Sequence, residues 1–365
     1  MEKRISEAIT FVRFPLIVGI LFIHNTSLDL YKGPISGYGY KLCEAIGVLG
    51  SEIFSSLCVP AFFTISGFLY VENLNSWDYK KYKEKTARRI HSLLIPYIVW
   101  NTLAFILIFV KSFYEKGYVD ISVIGFFKGF WSYSGGEDLN LFGMPIVYGY
   151  PVDAPLWYIR DLFLVSLLSP LLIWLINKTQ LVIILLFSFL YLFSIWPPTV
   201  WLMGGTALCF FSLGIYCSLY LKDFCFNSGK EILIILSLTW LLSSFLLFNV
   251  SRDCSYYLLL RHLYCFLGVF FVFRAASYFV NVLKFKWPDS FSSSVFFVYA
   301  LHTIWINNFV IYKIVPAIIP PISSFSLVMG YFLSSFIVWL TCFMIYLFLK
   351  RYANPFLKVL NGNRA

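Results

Sequence analysis

The chain has 365 residues, of which 60% are hydrophobic, 21% aromatic and 13% charged, and its mean hydropathy is +0.79. This composition excludes an ordinary soluble domain and indicates a protein that crosses a membrane several times. The net charge of +10 does not indicate nucleic-acid binding, because the basic residues collect at the ends of apolar segments rather than on one polar domain.

Ten apolar segments are long enough to cross roughly 30 Å of hydrocarbon. No small-residue cleavage site follows the first segment, so it is predicted to be a retained helix rather than a signal peptide. The Pro197-Pro198 turn divides the fifth segment from the sixth. The sequence therefore predicts an all-α polytopic protein of about ten transmembrane helices, at residues 8–25, 46–70, 93–113, 155–177, 180–196, 199–221, 231–250, 257–280, 291–312 and 325–349.

Lysine and arginine orient this bundle. With ten spans, 17 basic residues fall on the side of the two termini and 7 on the other side. Both termini are therefore expected in the cytoplasm. We expect a single transmembrane domain over residues 1–350 and a short basic cytoplasmic tail over residues 351–365. The long connection over residues 112–154 is expected to cap the outer mouth of the bundle.

The first segment, FVRFPLIVGILFIHN, carries Arg13 and His24. Ionisable residues within membrane segments are costly, so each is a candidate for function. Helix geometry brings the two side chains to within roughly 20° of one face and separates them by roughly 16 Å along the axis. They either snorkel to opposite interfaces or face one polar cavity, in which arginine would bind phosphate and histidine would remove a proton.

The fourth segment opens with PLWYIRDLF, which places Trp157, Arg160 and Asp161 at the outer end of a helix. Adjacent side chains on a helix point about 100° apart, so Arg160 and Asp161 are not expected to face the same point. They either make structural contacts between helices, or one of them orients His24 or binds a hydroxylated acceptor while Trp157 stacks on a sugar ring.

Two further ionisable residues lie in predicted spans. Glu52, near the outer end of the second span, is either an interface residue or part of a site. His302, in the middle of the ninth span, is either a hydrogen-bonded structural residue or a functional one.

The cytoplasmic end of the second span contains Ser66-Gly67, small residues that let two helix backbones approach closely. The basic stretch KKYKEKTARRIHSLLIPYIVW follows, and it either attracts anionic lipid or docks a polyanionic nucleotide cofactor. The eight cysteines have no metal-ligand spacing, so they are expected to act as small buried hydrophobes, and the sequence predicts no metal site.

Several of these stretches together resemble the acyltransferase-3 family of integral membrane acyltransferases. FVRFPLIVGILFIHN resembles the family's first-helix Arg and His signature, and FFTISGFLY its second-helix motif. TARRIHSLLIPYIVW resembles its basic segment, LWYIRDLF its aromatic Arg-Asp helix, and ALHTIW its late histidine. The family's basic motif is often Arg-x-x-Arg, and Lys85-x-x-Arg88 is its nearest match here.

The resemblance implies a membrane-bound O-acyltransferase of the bacterial cytoplasmic membrane, most often an O-acetyltransferase. The donor would be cytoplasmic acetyl-CoA or another acyl-CoA, and the acceptor a hydroxyl of a cell-surface or lipid-linked glycan. Many members carry an extracytoplasmic hydrolase-like domain, which this chain is expected to lack, so it would act alone or pass the acyl group to a separate partner. The alternatives are a transporter or flippase of a lipid-linked glycan and a non-catalytic scaffold.

The resemblance also implies roles for individual residues. The family's first-helix arginine and histidine are regarded as functional, which implies roles for Arg13, at the CoA phosphates, and for His24, which would either deprotonate the acceptor hydroxyl or carry the acyl group itself. The catalytic candidates are His24, Arg13, Arg160, Asp161, His302 and Glu52. The candidates for binding the donor are Arg13, Ser66, Lys85, Arg88 and Arg89.

Overall fold

The computed structural model describes residues 2–33, 37–72, 78–118, 122–132, 137–141, 144–147, 149–196, 203–227 and 229–363. Apart from one antiparallel hairpin, the regular structure in these residues is helical, which confirms the all-α part of the predicted fold class. The Pro197-Pro198 turn and parts of the 112–154 connection lie outside the described residues.

In the first half of the chain the regular elements are α1 (Lys3–Ile23), α2 (Tyr38–Gly47), α3 (Cys58–Val71), α4 (Tyr79–Arg89), α5 (Ile95–Lys116), α6 (Val123–Gly129), β1 (Glu137–Leu141) and β2 (Met144–Val147). A 3-10 turn, Ser27–Leu30, follows α1. The π-helical turns Val48–Phe54 and Ile90–Leu94 follow α2 and α4, respectively. The two strands form the hairpin.

In the second half the helices are α7 (Trp157–Leu167), α8 (Ser169–Thr179), α9 (Leu181–Leu192), α10 (Gly205–Tyr220), α11 (Lys222–Phe226), α12 (Lys230–Asn249), α13 (Tyr257–Asn281), α14 (Asp289–Leu301), α15 (Asn307–Phe309), α16 (Val315–Ile318), α17 (Ser324–Tyr352) and α18 (Asn354–Leu360). The 3-10 turn Ala154–Leu156 precedes α7. The kinked segment His302–Ile306 joins α14 to α15, and the π-helical turn Val310–Ile314 joins α15 to α16.

The count of ten full spans is not confirmed. All ten predicted segments coincide with helices, but in the described part of the chain seven helical stretches are long and apolar enough to cross a membrane. The pair α7 and α8, bent by 62° at Leu168, makes an eighth crossing if it counts as one span. The two remaining segments, α9 and α10, have 12 and 16 residues. At ~1.5 Å per residue neither helix alone covers roughly 30 Å of hydrocarbon.

The two described ends of the chain lie at the same end of the bundle, near the start of α14. Arg4 and Glu7 of α1 pair with Asp223 and Lys286, two residues of predicted cytoplasmic connections. At the other end of the chain, Gly362 packs against Ser92, which lies within the basic stretch. The assignment of this end to the cytoplasm stays a prediction from the distribution of basic residues.

The centre of the bundle contains a close backbone contact between α3 and α10. A Cβ atom placed on Gly67 would lie 2.0 Å from the Phe211 carbonyl oxygen, and one placed on Gly214 would lie 2.1 Å from the Thr64 carbonyl oxygen. Only glycine allows this approach. The prediction that Ser66-Gly67 lets two helices come close is therefore confirmed at Gly67. Seven of the eight cysteines, all but Cys254, are buried, as expected.

The residues after 350 pack onto this bundle. Leu357 and Leu360 of α18 are buried, and the Trp100 indole Nε1 donates a hydrogen bond of 3.0 Å to the Leu360 carbonyl. The stretch expected as a basic tail is thus a folded helix over its described part, while the domain boundary at residue 350 stays a prediction.

Candidate functional site

A basic pocket of about 550 Å³ lies at the end of the bundle that holds both termini. We use this name for the concave surface formed by Leu69, Tyr70, Lys85, Arg88, Arg89, His91, Ser92, Gly362 and Asn363. The Lys85 Nζ and the Arg89 guanidinium carbon lie 4.8 Å and 5.5 Å from the centroid of the Tyr70 ring. The Lys85 ammonium also donates a hydrogen bond to the Tyr70 carbonyl. Three cations around one concavity attract a polyanion.

Tyr158 connects this pocket with the interior of the bundle. Its hydroxyl lies 3.3 Å from the Ser66 hydroxyl, and the side chains of Arg13 and Arg89 lie near it. Arg13 is half-buried and has no hydrogen bond or ion pair with any residue that the structure describes. Since an unpaired guanidinium inside an apolar bundle is costly, this arrangement suits the binding of an anionic ligand.

His24 and His302 form a histidine pair, with ring centroids 5.1 Å apart. His302 is fully buried, and its Nδ1 lies 2.8 Å from the Tyr299 carbonyl oxygen. Because a carbonyl only accepts, this Nδ1 carries the proton, which leaves Nε2 of the neutral ring as an acceptor. That Nε2 is buried without a hydrogen-bond partner in the described part of the chain. A buried acceptor next to a second imidazole is a candidate for proton handling.

Two asparagines fix the backbone around this pair. The Asn307 Nδ2 donates to the His24 carbonyl at 2.6 Å. The Asn25 Nδ2 donates to the Tyr331 carbonyl of α17 at 2.7 Å and lies within 3 Å of two serine hydroxyls of that helix. His24 caps the end of α1, so these bonds hold the helix end against both of its neighbours.

The helix of His302 breaks directly after the histidine. Ile304 has ψ of 82° and Trp305 has φ of +66°, so neither is helical. A left-handed conformation is unfavourable for tryptophan and is retained only where surrounding contacts enforce it.

A row of aromatic rings joins the two regions. The ring centroids of Tyr158 and Tyr299 are 5.9 Å apart, and those of Tyr299 and His302 are 6.3 Å apart. At one end of the row Ser66 contacts Tyr158 and Arg13 lies nearby, and at the other end His24 packs beside His302. The structure thus brings Arg13, His24, Ser66, Arg89 and His302 of the predicted site into one connected path.

Arg160 and Asp161 occupy a different place. The expectation that their side chains point apart is wrong, because the long arginine side chain folds back and its Nε donates to Asp161 Oδ1 at 2.9 Å. Arg160 Nη1 also donates to the carbonyls of Trp131 and Gly149, at 2.8 and 2.7 Å. Asp161 Oδ2 accepts from the Gly204 N–H at 2.8 Å. This buried pair thus joins α7 to the segments of Trp131, Gly149 and Gly204. Within the described residues, neither Arg160 nor Asp161 contacts His24.

Glu52 also lies apart from the histidine pair. Its carboxylate forms an ion pair with Arg252, in the loop between α12 and α13, and the arginine side chain is 60% exposed. An ion pair this open to solvent stabilises little and indicates a surface contact. The catalytic roles of Glu52, Arg160 and Asp161 stay predictions without a supporting contact.

These features can be set beside known proteins. The family described as "Acyltransferase domain" matches residues 6–350. The chain belongs to the acyltransferase-3 family. The succinoglycan biosynthesis protein ExoH of Rhizobium meliloti (strain 1021) is 28% identical over 222 residues. The match covers 60% of this chain and 56% of ExoH, so it spans little more than half of that relative. No solved structure matches.

Membership in the acyltransferase-3 family confirms the resemblance carried by the five sequence motifs. It also makes this chain a multi-pass integral membrane protein of an acyltransferase family. In the PLWYIRDLF motif the sequence indicated Trp157, Arg160 and Asp161 as candidates. In this acyltransferase-3 protein it is Tyr158 of the same motif that contacts Ser66, a candidate for binding the acyl donor. Sequence reasoning also missed Asn25 and Asn307, although each lies within five residues of a candidate histidine.

Asp153 is another residue that the sequence did not single out. It precedes α7, is 3% exposed, and accepts a 2.9 Å hydrogen bond from the hydroxyl of Thr303, the neighbour of His302. Its backbone N–H donates to the Asn101 side chain at 3.1 Å. Asp153 therefore ties the outer cap to the broken helix of this acyltransferase-3 protein. Burial raises the pKa of Asp153 to about 8, although the bond from Thr303 favours the charged form.

Asp153→Asn is expected to remove a loss of stability that the wild type shows as the pH rises from about 4 to about 8. The folded protein keeps the Asp153 proton up to about pH 8, whereas an unfolded aspartate loses it near pH 4. The unfolding free energy therefore falls with rising pH between these values, by at most about 1.4 kcal/mol per pH unit from this group. Asparagine keeps an oxygen for Thr303 and does not ionise.

The measurement is thermal unfolding of both detergent-solubilised proteins across this pH interval. The melting temperature of the wild type is expected to fall more steeply with pH than that of the variant. Parallel curves for the two proteins would show that Asp153 does not carry the proton.

Proposed function

We propose that this protein is a membrane-bound O-acyltransferase that transfers an acyl group, foremost acetyl, from acyl-CoA to a hydroxyl of a cell-surface or lipid-linked glycan. The observation that carries the proposal is the path from the basic pocket through Arg13 and Tyr158 to the histidine pair. The family supports acyl transfer, and the name of the relative ExoH, a succinoglycan biosynthesis protein, supports a glycan as the acceptor.

The basic pocket fits the phosphate-bearing end of coenzyme A. Lys85, Arg88 and Arg89 offer ammonium and guanidinium groups, which bind phosphates in different geometries, and the volume is in the range of small-molecule sites. Arg13, which lacks a partner among the described residues, is placed farther along the path. The roughly 16 Å rise from Arg13 to His24 along α1 is of the length that an extended pantetheine arm needs.

The chemistry proposed for the histidine pair is general base catalysis. His24 takes the proton from the acceptor hydroxyl as its oxygen forms a bond to the thioester carbonyl carbon. The carbon–sulfur bond breaks, and His24 gives the proton to the departing thiolate, so the imidazole returns to its neutral form. His302 Nε2 offers an acceptor for the ring N–H of His24 and thereby selects its tautomer.

The alternative function, a transporter or flippase of a lipid-linked glycan, predicts a different effect of substituting His24. A permeation route would need a polar lining rather than a particular base, so His24→Gln would preserve transport. Acyl transfer needs a titrating base at this position, so the same substitution removes it.

The test is mass spectrometry of surface glycans from cells that lack the protein, complemented with the wild type or with variants confirmed in the membrane. The wild type is expected to restore a mass increment of one acyl group, and Arg89→Ala to restore little of it. Lys358→Ala, which removes an exposed charge of α18 outside the basic pocket, is the matched control. An unchanged glycan mass in the absence of the protein would contradict the proposed acceptor class.

A further inference from the structure

The wall of the basic pocket that faces the cations comes from the far end of the chain. Lys85, Arg88 and Arg89 line the pocket together with Gly362 and Asn363. We propose that the C-terminal turn, residues 361–363, completes the donor site and contacts the phosphate-bearing nucleotide of the donor through the Asn363 amide. This inference rests on the proposed function, because it takes acyl-CoA as the ligand of the pocket.

The C-terminal turn is held firmly in place. The Gly362 N–H donates to the Val359 carbonyl at 3.3 Å, and the Asn363 N–H to the Lys358 carbonyl at 2.8 Å. Together with the left-handed φ of +61° at Gly362, these bonds form the Schellman motif that ends α18. The buried Asn361 donates to the Ser293 carbonyl at 3.3 Å. The turn is therefore a fixed surface rather than a loose chain end.

The turn touches the basic stretch directly. A Cβ atom on Gly362 would lie 2.5 Å from the Ser92 carbonyl oxygen, so glycine is required here both by its conformation and by the contact. One residue on, the Asn363 side chain is exposed at the pocket and has no hydrogen-bond partner among the described residues. An amide provides two N–H donors, which suit phosphate oxygens beside the three cations.

This wall lies beyond the family match, which covers residues 6–350. The cations of the pocket belong to the matched region, and the turn does not. In the proposed donor site, the basic residues therefore belong to the part of the chain that matches the family, whereas the opposite wall comes from residues after position 350.

The experiment measures the Kd of CoA for the full chain purified in detergent. Asn363→Ala is expected to weaken binding about threefold to tenfold, the range that corresponds to the net loss of one solvent-exposed hydrogen bond. Gly362→Val is expected to weaken binding at least as much, because it displaces the turn from Ser92. Arg89→Ala reports on the proposed pocket itself, and Lys358→Ala controls for the loss of an exposed charge nearby.

The outcomes separate the inference from the proposed function. If the wild type does not bind CoA, or if Arg89→Ala binds it equally well, the pocket is not the donor site and both proposals fail. If Arg89→Ala weakens binding while Asn363→Ala and a folded Gly362→Val bind like the wild type, only the C-terminal wall is overturned. Melting temperatures establish that each variant is folded, including Asn363→Ala, whose position has a left-handed φ of +59° that asparagine adopts more readily than alanine.

Discussion

Replacing His24 with alanine is expected to lower the turnover number roughly 10²–10⁴-fold, the range typical for loss of a general base. The KM for acyl-CoA should change little, because the phosphates are proposed to bind at the basic pocket, which lies beyond Arg13 on the path, and Arg13 is itself roughly 16 Å of helix rise from His24. The measurement is transfer of a radiolabelled acetyl group from acetyl-CoA to glycan in membrane vesicles, normalised to the amount of folded protein.

The histidine pair supplies an internal comparison. His302→Gln retains a side-chain oxygen near the His24 ring, so it should retain more activity than His302→Ala. His262→Gln is the matched control. The His262 ring packs on Tyr191, and its Nδ1 lies 3.2 Å from the Leu192 carbonyl oxygen, so it contacts neither residue of the histidine pair. Equal turnover in His24→Ala and His262→Gln would rule out His24 as the base. A labelled acyl group retained on the wild-type protein but absent from His24→Ala would instead indicate a covalent carrier.

Gly67→Ala is expected to destabilise the bundle by about 3 kcal/mol and to deplete the protein from the membrane. The added methyl group would lie 2.0 Å from the Phe211 carbonyl oxygen, a backbone atom that moves only if α3 and α10 separate. The measurements are the melting temperature in detergent and the level of inserted protein.

Gly47→Ala is the matched control, because its Cβ would lie 3.4 Å from a Leu28 methyl group, an ordinary contact. Gly214→Ala acts on the same contact from the other helix. Once the helices have separated, the second substitution costs less, so the double variant should be less destabilised than the sum of the single ones. Wild-type stability in Gly67→Ala would show that the two backbones are not in contact.

The helical positions could be predicted because apolar length alone determines which segments enter a membrane. The number of crossings could not, since it depends on where each helix ends. Ser194, with φ of +56°, lies just past the end of α9, and α7 bends into α8 at Leu168. A proline follows each break, Pro170 after the first bend and Pro197 after α9, but a proline in an apolar segment does not show whether the helix kinks within the membrane or ends there.

The candidate site was predictable where one residue carries an ionisable group in an apolar segment, as Arg13, His24 and His302 do. A residue's role could not be predicted where contacts with residues distant in the sequence determine it. Arg160 reads as a functional cation, yet its donors are used by the Trp131 and Gly149 carbonyls of the outer cap. Tyr158 carries no charge at neutral pH, so composition gives no reason to prefer it over the 24 other tyrosines.

The two sides of the basic pocket come from residues 85–92 and 362–363, which leaves most of the chain between them. Ribosomes add roughly 5–20 residues per second, so the cations enter the membrane surface tens of seconds before the opposing turn exists. During that interval the nascent chain presents an open basic groove that anionic lipid head groups can occupy. Docking of α18 through Trp100 then closes the groove, so a complete pocket is also a sign that synthesis has passed residue 363.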